Sequence, residues 1–287
     1  MQVAISQKHL KLILFVLLVF KAITCHSQTS FLSQGFAHND YWHQRPLYDA
    51  LENGYAHIEA DIYLRDGELI VAHLLPRFKK RKTLEQLYFN PLMQIIQDKN
   101  NRLSAPASQL TLMIDIKSDA NSTYKELELL LYKYKSILSS YENGAVIKRQ
   151  VTIVITGHKP YELLKSQTYR LAFIDEDLME VREEPQPENI FQTSSCKYSS
   201  LINWQGKGEM PLSEKEKLSR YVSMAHQNGK KVRLWASPEN KSVWSALLSC
   251  GVDLINTDKL TELRNFLLAR EKSFVREAIY ARAEESK

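Results

Sequence analysis

Short apolar runs rich in β-branched residues alternate with amphipathic segments along most of this chain. Leu110–Ile116 and Val151–Thr156 have the length and composition of buried strands, whereas Thr123–Tyr141 between them carries leucines at helical spacing. The same order returns near the C-terminal end, where predicted strands at Lys231–Ala236 and Val252–Asn256 enclose a predicted helix. Strand–helix alternation of this kind predicts a parallel sheet covered by helices.

The number of strand–helix units favours a closed sheet over an open one. About eight units in about 260 residues are typical of a (β/α)8 barrel, the TIM barrel. No G-x-G-x-x-G motif follows the first predicted strand, which weakens the alternative of an open dinucleotide-binding sheet. Glu183–Glu188 is predicted as a loop and Tyr198–Trp204 as a further strand. We therefore predict an α/β fold with one barrel domain over residues 28–287.

The first 27 residues are predicted to lie outside that domain. Lys8 precedes an unbroken apolar run, Leu12–Phe20, and a polar stretch follows. A basic start, an apolar core and a polar end are typical of a secretory signal peptide, here removed after Ser27. Lys21 makes the apolar run short for a retained membrane anchor. Export to the periplasm or the extracellular space is therefore predicted.

Most of the positive formal charge belongs to the predicted leader. The chain has 38 Lys and Arg against 33 Asp and Glu; without the three leader lysines, 35 stand against 33, so the net charge falls from +5 to +2. A balance this close to neutrality gives no argument for a nucleic-acid partner.

The three cysteines leave two questions open. Cys25 lies in the predicted leader, and a lipoprotein acylated there is a weaker alternative to cleavage. Cys196 and Cys250 could form one disulfide in an exported protein, although two buried free thiols fit the sequence equally well. There is no C-x-x-C motif, so a zinc–thiolate site is not predicted.

Two histidines bracket two carboxylates in the N-terminal part of the chain. Glu59 and Asp61 lie two residues apart in the predicted strand Ala56–Tyr63, so their side chains are expected on one face. His38 and His73 each end a neighbouring predicted strand. Because the carboxyl ends of barrel strands meet at one mouth, where active sites are built, these four side chains are expected to meet there.

A third carboxylate is predicted to complete a metal site. Asp115 ends the next predicted strand and therefore approaches Glu59 and Asp61. An isolated Asp is most often salt-bridged or a helix cap, but three carboxylates without a shared partner repel one another and raise their own pKa values. A hard cation removes this conflict, and oxygen ligands favour Mg2+ or Ca2+ over zinc.

Histidines on either side of a bound cation fit phosphodiester cleavage. A lone histidine is usually structural, but His38 and His73 stand beside the carboxylates, where one could act as base and the other as acid. His57 is interpreted as structural and His158 as a residue of the rim.

The motifs at these positions resemble a known superfamily. His38-Asn39-Asp40, Glu59-Ala60-Asp61 and His73 are similar to the N-terminal signature of the glycerophosphodiester phosphodiesterase and phosphatidylinositol-phospholipase-C-like superfamily. Within it, the H-N-D-Y start most resembles the group of the fungal altered inheritance of mitochondria protein 6. The sequences at 232–235 and 251–258 resemble the last two strands of that family.

The resemblance implies a TIM barrel of the PLC-like phosphodiesterase type, with one Mg2+ or Ca2+ ion. Three carboxylates would hold the ion: Glu59, Asp61 and Asp115. The acid/base pair would be His38 and His73. Substrate contacts would come from Lys117, near the phosphate, and from Trp235, for which a place in the barrel core is an equal alternative. Asn39 stands where the family usually has a substrate-binding arginine; it is predicted to be a substrate-binding residue in place of that arginine, and the substrate is expected to differ there.

The predicted activity is a phosphoric diester hydrolase acting on a glycerophosphodiester or a lipid headgroup. Attack by water and attack by a substrate hydroxyl, which gives a cyclic phosphate, both remain open. Two alternatives are a non-catalytic binding barrel and a glycosidase that uses two carboxylates about 5–10 Å apart, which leaves both histidines without a role. A small-molecule or lipid phosphodiester is the predicted partner, with peripheral membrane contact as an option. The oligomeric state is not predicted.

Overall fold

The structure is a computed structural model. It describes four stretches of the chain: 31–75, 82–98, 110–181 and 190–285. The predicted leader, 1–27, and the predicted loop at Glu183–Glu188 lie outside the described residues. Within the described stretches, the helices are too short or too polar to cross a membrane.

Twelve strands are described. They are β1 (Leu32–Ala37), β2 (Tyr55–Arg65), β3 (Glu68–Val71), β4 (Leu110–Ile116), β5 (Ser140–Glu142), β6 (Ala145–Ile147), β7 (Val151–Gly157), β8 (Tyr169–Arg170), β9 (Ala172–Asp177), β10 (Phe191–Lys197), β11 (Lys231–Trp235) and β12 (Leu254–Thr257). Eight of these pair in parallel in the order β1-β2-β4-β7-β9-β10-β11-β12, and β12 pairs with β1. The sheet therefore closes on itself, and the predicted (β/α)8 barrel is confirmed.

Seven helices are described, most of them between barrel strands. They are α1 (Tyr48–Glu52), α2 (Asn90–Gln97), α3 (Ala120–Lys133), α4 (Tyr161–Ser166), α5 (Leu212–Gln227), α6 (Lys241–Ser249) and α7 (Leu260–Glu285). A π-helical turn, Glu85–Phe89, leads directly into α2.

Alternate residues of each barrel strand face opposite sides of the sheet, so the apolar residues form two layers. On β4, Leu112 and Ile114 belong to the large cluster between the barrel and its helices, whereas Met113 belongs to a small separate cluster with residues of three other barrel strands. Asp115 has the parity of Met113, so it also faces the barrel interior. β2 pairs with β4 in a register that sets Glu59 opposite Met113 and Asp61 opposite Asp115. The carboxylates therefore share the interior.

Two predicted elements are wrong. The helix predicted to reach Tyr141 ends at Lys133, because the chain then forms β5, which pairs with both β6 and β8 in a separate three-stranded sheet. The strand predicted at Tyr198–Trp204 is a 3-10 turn, since the barrel position is filled by β10 immediately before it. Cys196 and Cys250 are both buried free thiols, so the disulfide alternative does not apply in this structure.

β3 is an antiparallel addition that positions the second histidine. It pairs with the end of β2 through a turn at Asp66 and Gly67, both with positive φ. The amide of Ala72 then donates to the Asp61 carbonyl at 3.1 Å. His73, the next residue, is therefore held over the carboxyl end of β2.

Candidate active site

A cavity of about 590 Å3 opens at the carboxyl ends of the barrel strands. Six of the predicted site residues line it: His38, Glu59, His73, Asp115, Lys117 and Trp235. The rest of its lining includes residues to which the sequence analysis gave no role, among them Lys159, Asp175, Ser195, Lys197 and Arg233. The mouth of the barrel therefore contains a site with charges of both signs.

Three carboxylates cluster at one side of this cavity. Glu59, Asp61 and Asp115 each bring a ligand oxygen within 4.8 Å of the others. Glu59 and Asp61 are buried, and Glu59 Oε2 and Asp115 Oδ1 have no hydrogen-bond partner among the described residues. Burial raises the pKa of Asp115 to about 6, and the charges of the other two carboxylates add to this while Lys117 opposes it. Two unsatisfied buried oxygens in an all-oxygen cluster fit a divalent cation.

The backbone beside the cluster leaves room for those oxygens. Gly157, at the end of β7, has a φ of +70°, and a Cβ built there would lie 2.0 Å from Asp115 Oδ1. A side chain at this position would displace the carboxylate, so glycine is required next to the cluster.

Two cations partly balance the three carboxylates. Lys117 Nζ lies 2.6 Å from Asp115 Oδ2 and 3.2 Å from Asp61 Oδ2. Burial lowers the pKa of Lys117, but these carboxylates more than offset it, so the pKa is raised. Arg233 donates to Glu59 Oε1 at 3.1 Å, and its guanidinium lies 4.4 Å from the centre of the Phe36 ring. Three acids against two bases leave one formal negative charge to attract a cation.

His38 is held between two carboxylates. Its Nδ1 donates to Asp258 Oδ1 at 2.7 Å, and its Nε2 faces Glu59 Oε2 at 3.5 Å. Burial lowers the pKa of His38, but the hydrogen bond to Asp258 and the charge of Glu59 outweigh it, and the pKa is raised. For Asp258, burial is outweighed by the bond to His38, which lowers the pKa of the carboxyl. Asp258 therefore fixes the ring with Nε2 toward the cluster.

His73 is held on the other side of the same cluster. Its Nδ1 lies 3.2 Å from Asp61 Oδ2 and 3.3 Å from the Tyr41 hydroxyl. The Trp42 ring packs edge-on against the imidazole, with centroids 5.2 Å apart. Both histidines thus use Nδ1 for an orienting contact, which leaves each Nε2 to exchange protons with a substrate.

Comparison with known proteins identifies the family. The AIM6-like phosphodiesterase domain matches residues 22–175, more than half of the chain, and the glycerophosphoryl diester phosphodiesterase family matches residues 231–261. The chain belongs to the AIM6-like phosphodiesterase family. The resemblance inferred from the sequence motifs is thereby confirmed.

Curated relatives match most of this chain. Altered inheritance of mitochondria protein 6 of Eremothecium gossypii is 31% identical over 273 residues, covering 82% of this chain and 69% of that protein. The protein of the same name from Lachancea thermotolerans is 28% identical, covering 79% and 64%. The chain thus spans about two thirds of the length of these relatives. Glycerophosphodiester phosphodiesterase from Agrobacterium tumefaciens superposes with a TM-score of 0.46 at 13% identity, covering 82% of this chain and 100% of that one.

Asn39 differs from its predicted role. It was expected to contact substrate, but its side chain is buried and is not among the residues that line the cavity. Its amide nitrogen donates to Asp258 Oδ1 at 3.3 Å and lies 2.9 Å from His38 Nδ1. Burial and the charge of Asp61 raise the pKa of Tyr41, so that hydroxyl stays protonated and donates to Asn39 Oδ1 at 2.8 Å. Asn39 therefore connects Asp258, which binds His38, with Tyr41, which contacts His73.

A buried hydroxyl network, absent from the sequence predictions, forms the floor of the cavity. Asp175 accepts hydrogen bonds from Thr193 at 2.5 Å, Ser195 at 2.8 Å and Thr156 at 3.2 Å. Ser195 also accepts from Arg233 Nε at 3.3 Å. The network fixes the guanidinium that binds Glu59. One signal was available: Arg233 is a charged residue between the apolar Val232 and Leu234 inside a predicted strand.

The remaining candidates lie at the rim or outside the cavity. Trp235 is partly exposed at the mouth, with Lys197 Nζ 5.8 Å from its ring centre, so it is not a core residue. His57 is buried deeper in the barrel, where burial and then the charge of Lys231 lower its pKa to about 3. His158 lies outside the cavity lining, with Nδ1 donating to the Ser118 carbonyl at 2.7 Å.

Proposed function

We propose that this chain is a metal-dependent phosphoric diester hydrolase that acts on a glycerophosphodiester or a lipid-headgroup phosphodiester. The observation that carries the proposal is the placement of two carboxylate-oriented imidazoles, His38 and His73, on either side of one carboxylate cluster. A general acid and a general base on opposite sides of a cation site are what cleavage of a phosphodiester needs.

Glu59, Asp61 and Asp115 would hold one Mg2+ or Ca2+ ion, which would offset the charge of the bound phosphate. Lys117, in contact with two of these carboxylates, adds a second positive charge beside that position. The phosphoryl oxygens would therefore lie against two cations, while the ester oxygens extend toward the histidines.

The proton transfers fall to the two Nε2 atoms. One imidazole removes the proton from the attacking oxygen, which forms the new P–O bond, and the other protonates the leaving oxygen as its P–O bond breaks. Asp258 stabilises the imidazolium form of His38, and Asp61 contacts Nδ1 of His73 and so orients its ring. The arrangement serves an attacking water and an attacking substrate hydroxyl equally well.

The alternatives explain less of the geometry. A carboxylate-pair glycosidase needs neither histidine, although both are oriented here by carboxylates. A non-catalytic binding barrel has no need for buried oxygens without partners at the bottom of its cavity, which cost free energy.

A panel of phosphodiesters, assayed with and without EDTA, tests the proposal. We expect EDTA to abolish activity and added Mg2+ or Ca2+ to restore it. His38→Ala and Glu59→Gln are expected to lose activity, whereas His158→Ala, outside the cavity lining, is the matched control that keeps it. Activity that survives EDTA, or a fully active His38→Ala variant, would refute the mechanism.

A further inference from the structure

Five exposed apolar side chains lie at the charged cavity or next to residues that line it, and we call them the apolar rim. The described residues include ten large hydrophobic side chains that are exposed. Five of these line the cavity, contact His73 of its lining, or directly follow His73 in the sequence: Trp42, Leu74, Leu75, Met179 and Trp235. Met179 and Trp235 line the cavity itself, and Trp42 packs against His73, which also lines it. Half of these exposed apolar side chains therefore lie at the candidate active site or next to one of its residues.

Three side chains of this rim are held largely in water. Leu74 is 77% exposed, Trp42 59% and Leu75 58%. A single exposed leucine is ordinary, but a contiguous patch beside a functional site marks a surface that contacts another molecule. Tryptophan at such a position is typical of a lipid–water interface, because its ring has an apolar body and a polar N–H.

The charges that follow Leu75 in the sequence, together with two in the cavity lining, indicate which kind of surface the patch meets. Directly after Leu75 the sequence continues Pro-Arg-Phe-Lys-Lys-Arg, with four basic residues and no acid. Lys159 and Lys197 also line the cavity. Exposed apolar side chains flanked by basic residues bind anionic lipid surfaces, where the two contributions add.

We propose that Trp42, Leu74 and Leu75 form a docking surface for an anionic lipid bilayer. Because Trp42 contacts the imidazole of His73, insertion of the patch at headgroup depth brings the cavity against the phosphodiesters of the membrane surface. The contact is peripheral, since within the described residues no helix can span a bilayer. Membrane-bound phosphodiester as the substrate source rests on the proposed function, but docking itself does not.

Co-sedimentation of the full chain with vesicles tests the docking. We expect binding to phosphatidylcholine vesicles that contain phosphatidylserine, with weaker binding to pure phosphatidylcholine and at high salt. Leu74→Ser/Leu75→Ser is expected to weaken partition by roughly tenfold or more, because two inserted apolar side chains are lost.

A matched control carries the same number of changes away from the mouth. Leu129 on α3 and Ile147 on β6 are 62% and 40% exposed, and β6 lies in the connection that leads into the amino end of β7. Leu129→Ser/Ile147→Ser is expected to bind vesicles like the unmodified chain. Equal thermal unfolding midpoints would show that both double variants are folded.

Several outcomes would overturn the proposal. They are no sedimentation of the unmodified chain with anionic vesicles, equal binding to neutral vesicles, or unchanged binding by Leu74→Ser/Leu75→Ser. Self-association that this double variant abolishes, without vesicle binding, would replace the bilayer with a second copy of the chain.

Activity measurements separate this proposal from the proposed function. The double variant is expected to retain activity on a water-soluble glycerophosphodiester and to lose it on the corresponding phospholipid in vesicles. If the unmodified chain cleaves neither substrate yet binds anionic vesicles through the patch, the proposed function fails and the docking surface stands.

Discussion

Arg233 and Glu59 form an ion pair whose stability effect can be predicted from its burial. The side chains are 3% and 4% exposed, and their N···O distance is 3.1 Å. Arg233→Met leaves Glu59 as a buried charge without this partner, and removal of one member of a buried pair costs about 3–5 kcal/mol. That is a large share of a typical free energy of unfolding of about 5–15 kcal/mol, but it is expected to leave the chain folded.

The assay is urea unfolding in EDTA, followed by the fluorescence of the four tryptophans. EDTA is required because a bound cation would partly replace the missing guanidinium and hide the cost. Glu59→Gln removes the stranded charge, so Arg233→Met/Glu59→Gln is expected to be more stable than Arg233→Met by about 2 kcal/mol or more. Arg45→Met, which removes a surface ion pair with Glu52, is the matched control and is expected to leave the unfolding midpoint unchanged.

The reasoning would be refuted by two results. One is a loss below about 1 kcal/mol for Arg233→Met, which would mean that Glu59 is solvated or protonated. The other is a double variant no more stable than Arg233→Met, because the cost would then come from packing against Phe36 rather than from the stranded carboxylate.

Three further predictions concern catalysis, pH and processing. Asp258→Asn is expected to lower kcat by about 10–100-fold with little change in KM. It should also move the part of the pH–rate profile that reports His38 to lower pH, because Asp258 raises the pKa of His38. An unchanged profile would contradict this. Burial raises the pKa of Asp40 from 3.8 to about 6, against opposing hydrogen bonds from Leu47 and Tyr88. The neutral carboxyl is therefore favoured in the folded state, so the contribution of Asp40 to the unfolding free energy should fall by about 3 kcal/mol as pH rises from below 4 to above 6. Asp40→Asn should remove that contribution in denaturant titrations at both pH values, while the raised pKa of Asp115 leaves a slope of its own. Finally, mass spectrometry of the secreted chain is expected to show Gln28 as its first residue; an intact N-terminus would argue against the signal peptide.

The sequence alone was sufficient to predict the barrel and the cluster of three carboxylates. Strand–helix alternation depends on local periodicity, and the side-chain period of two already sets Glu59 and Asp61 on one face. The terminal position of Asp115 on its strand then brought it to the same mouth. The same local signals placed the end of α3 too far along the chain, because they cannot show that β5 pairs with β6 and with β8.

Only the tertiary structure decided how these groups are held. Asp258 meets His38 across 220 residues of sequence, and Arg233 meets Glu59 across 174. From the sequence, Asn39 was interpreted as the loss of the family's arginine contact to the substrate. In the structure its backbone is left-handed, with a φ of 47°, and its side chain is buried and hydrogen-bonded to Asp258 and Tyr41. Local patterns in a sequence determine which face of a strand is buried; which side chain it meets across the barrel depends on strand register and closure, and these arise from the packing of the whole chain.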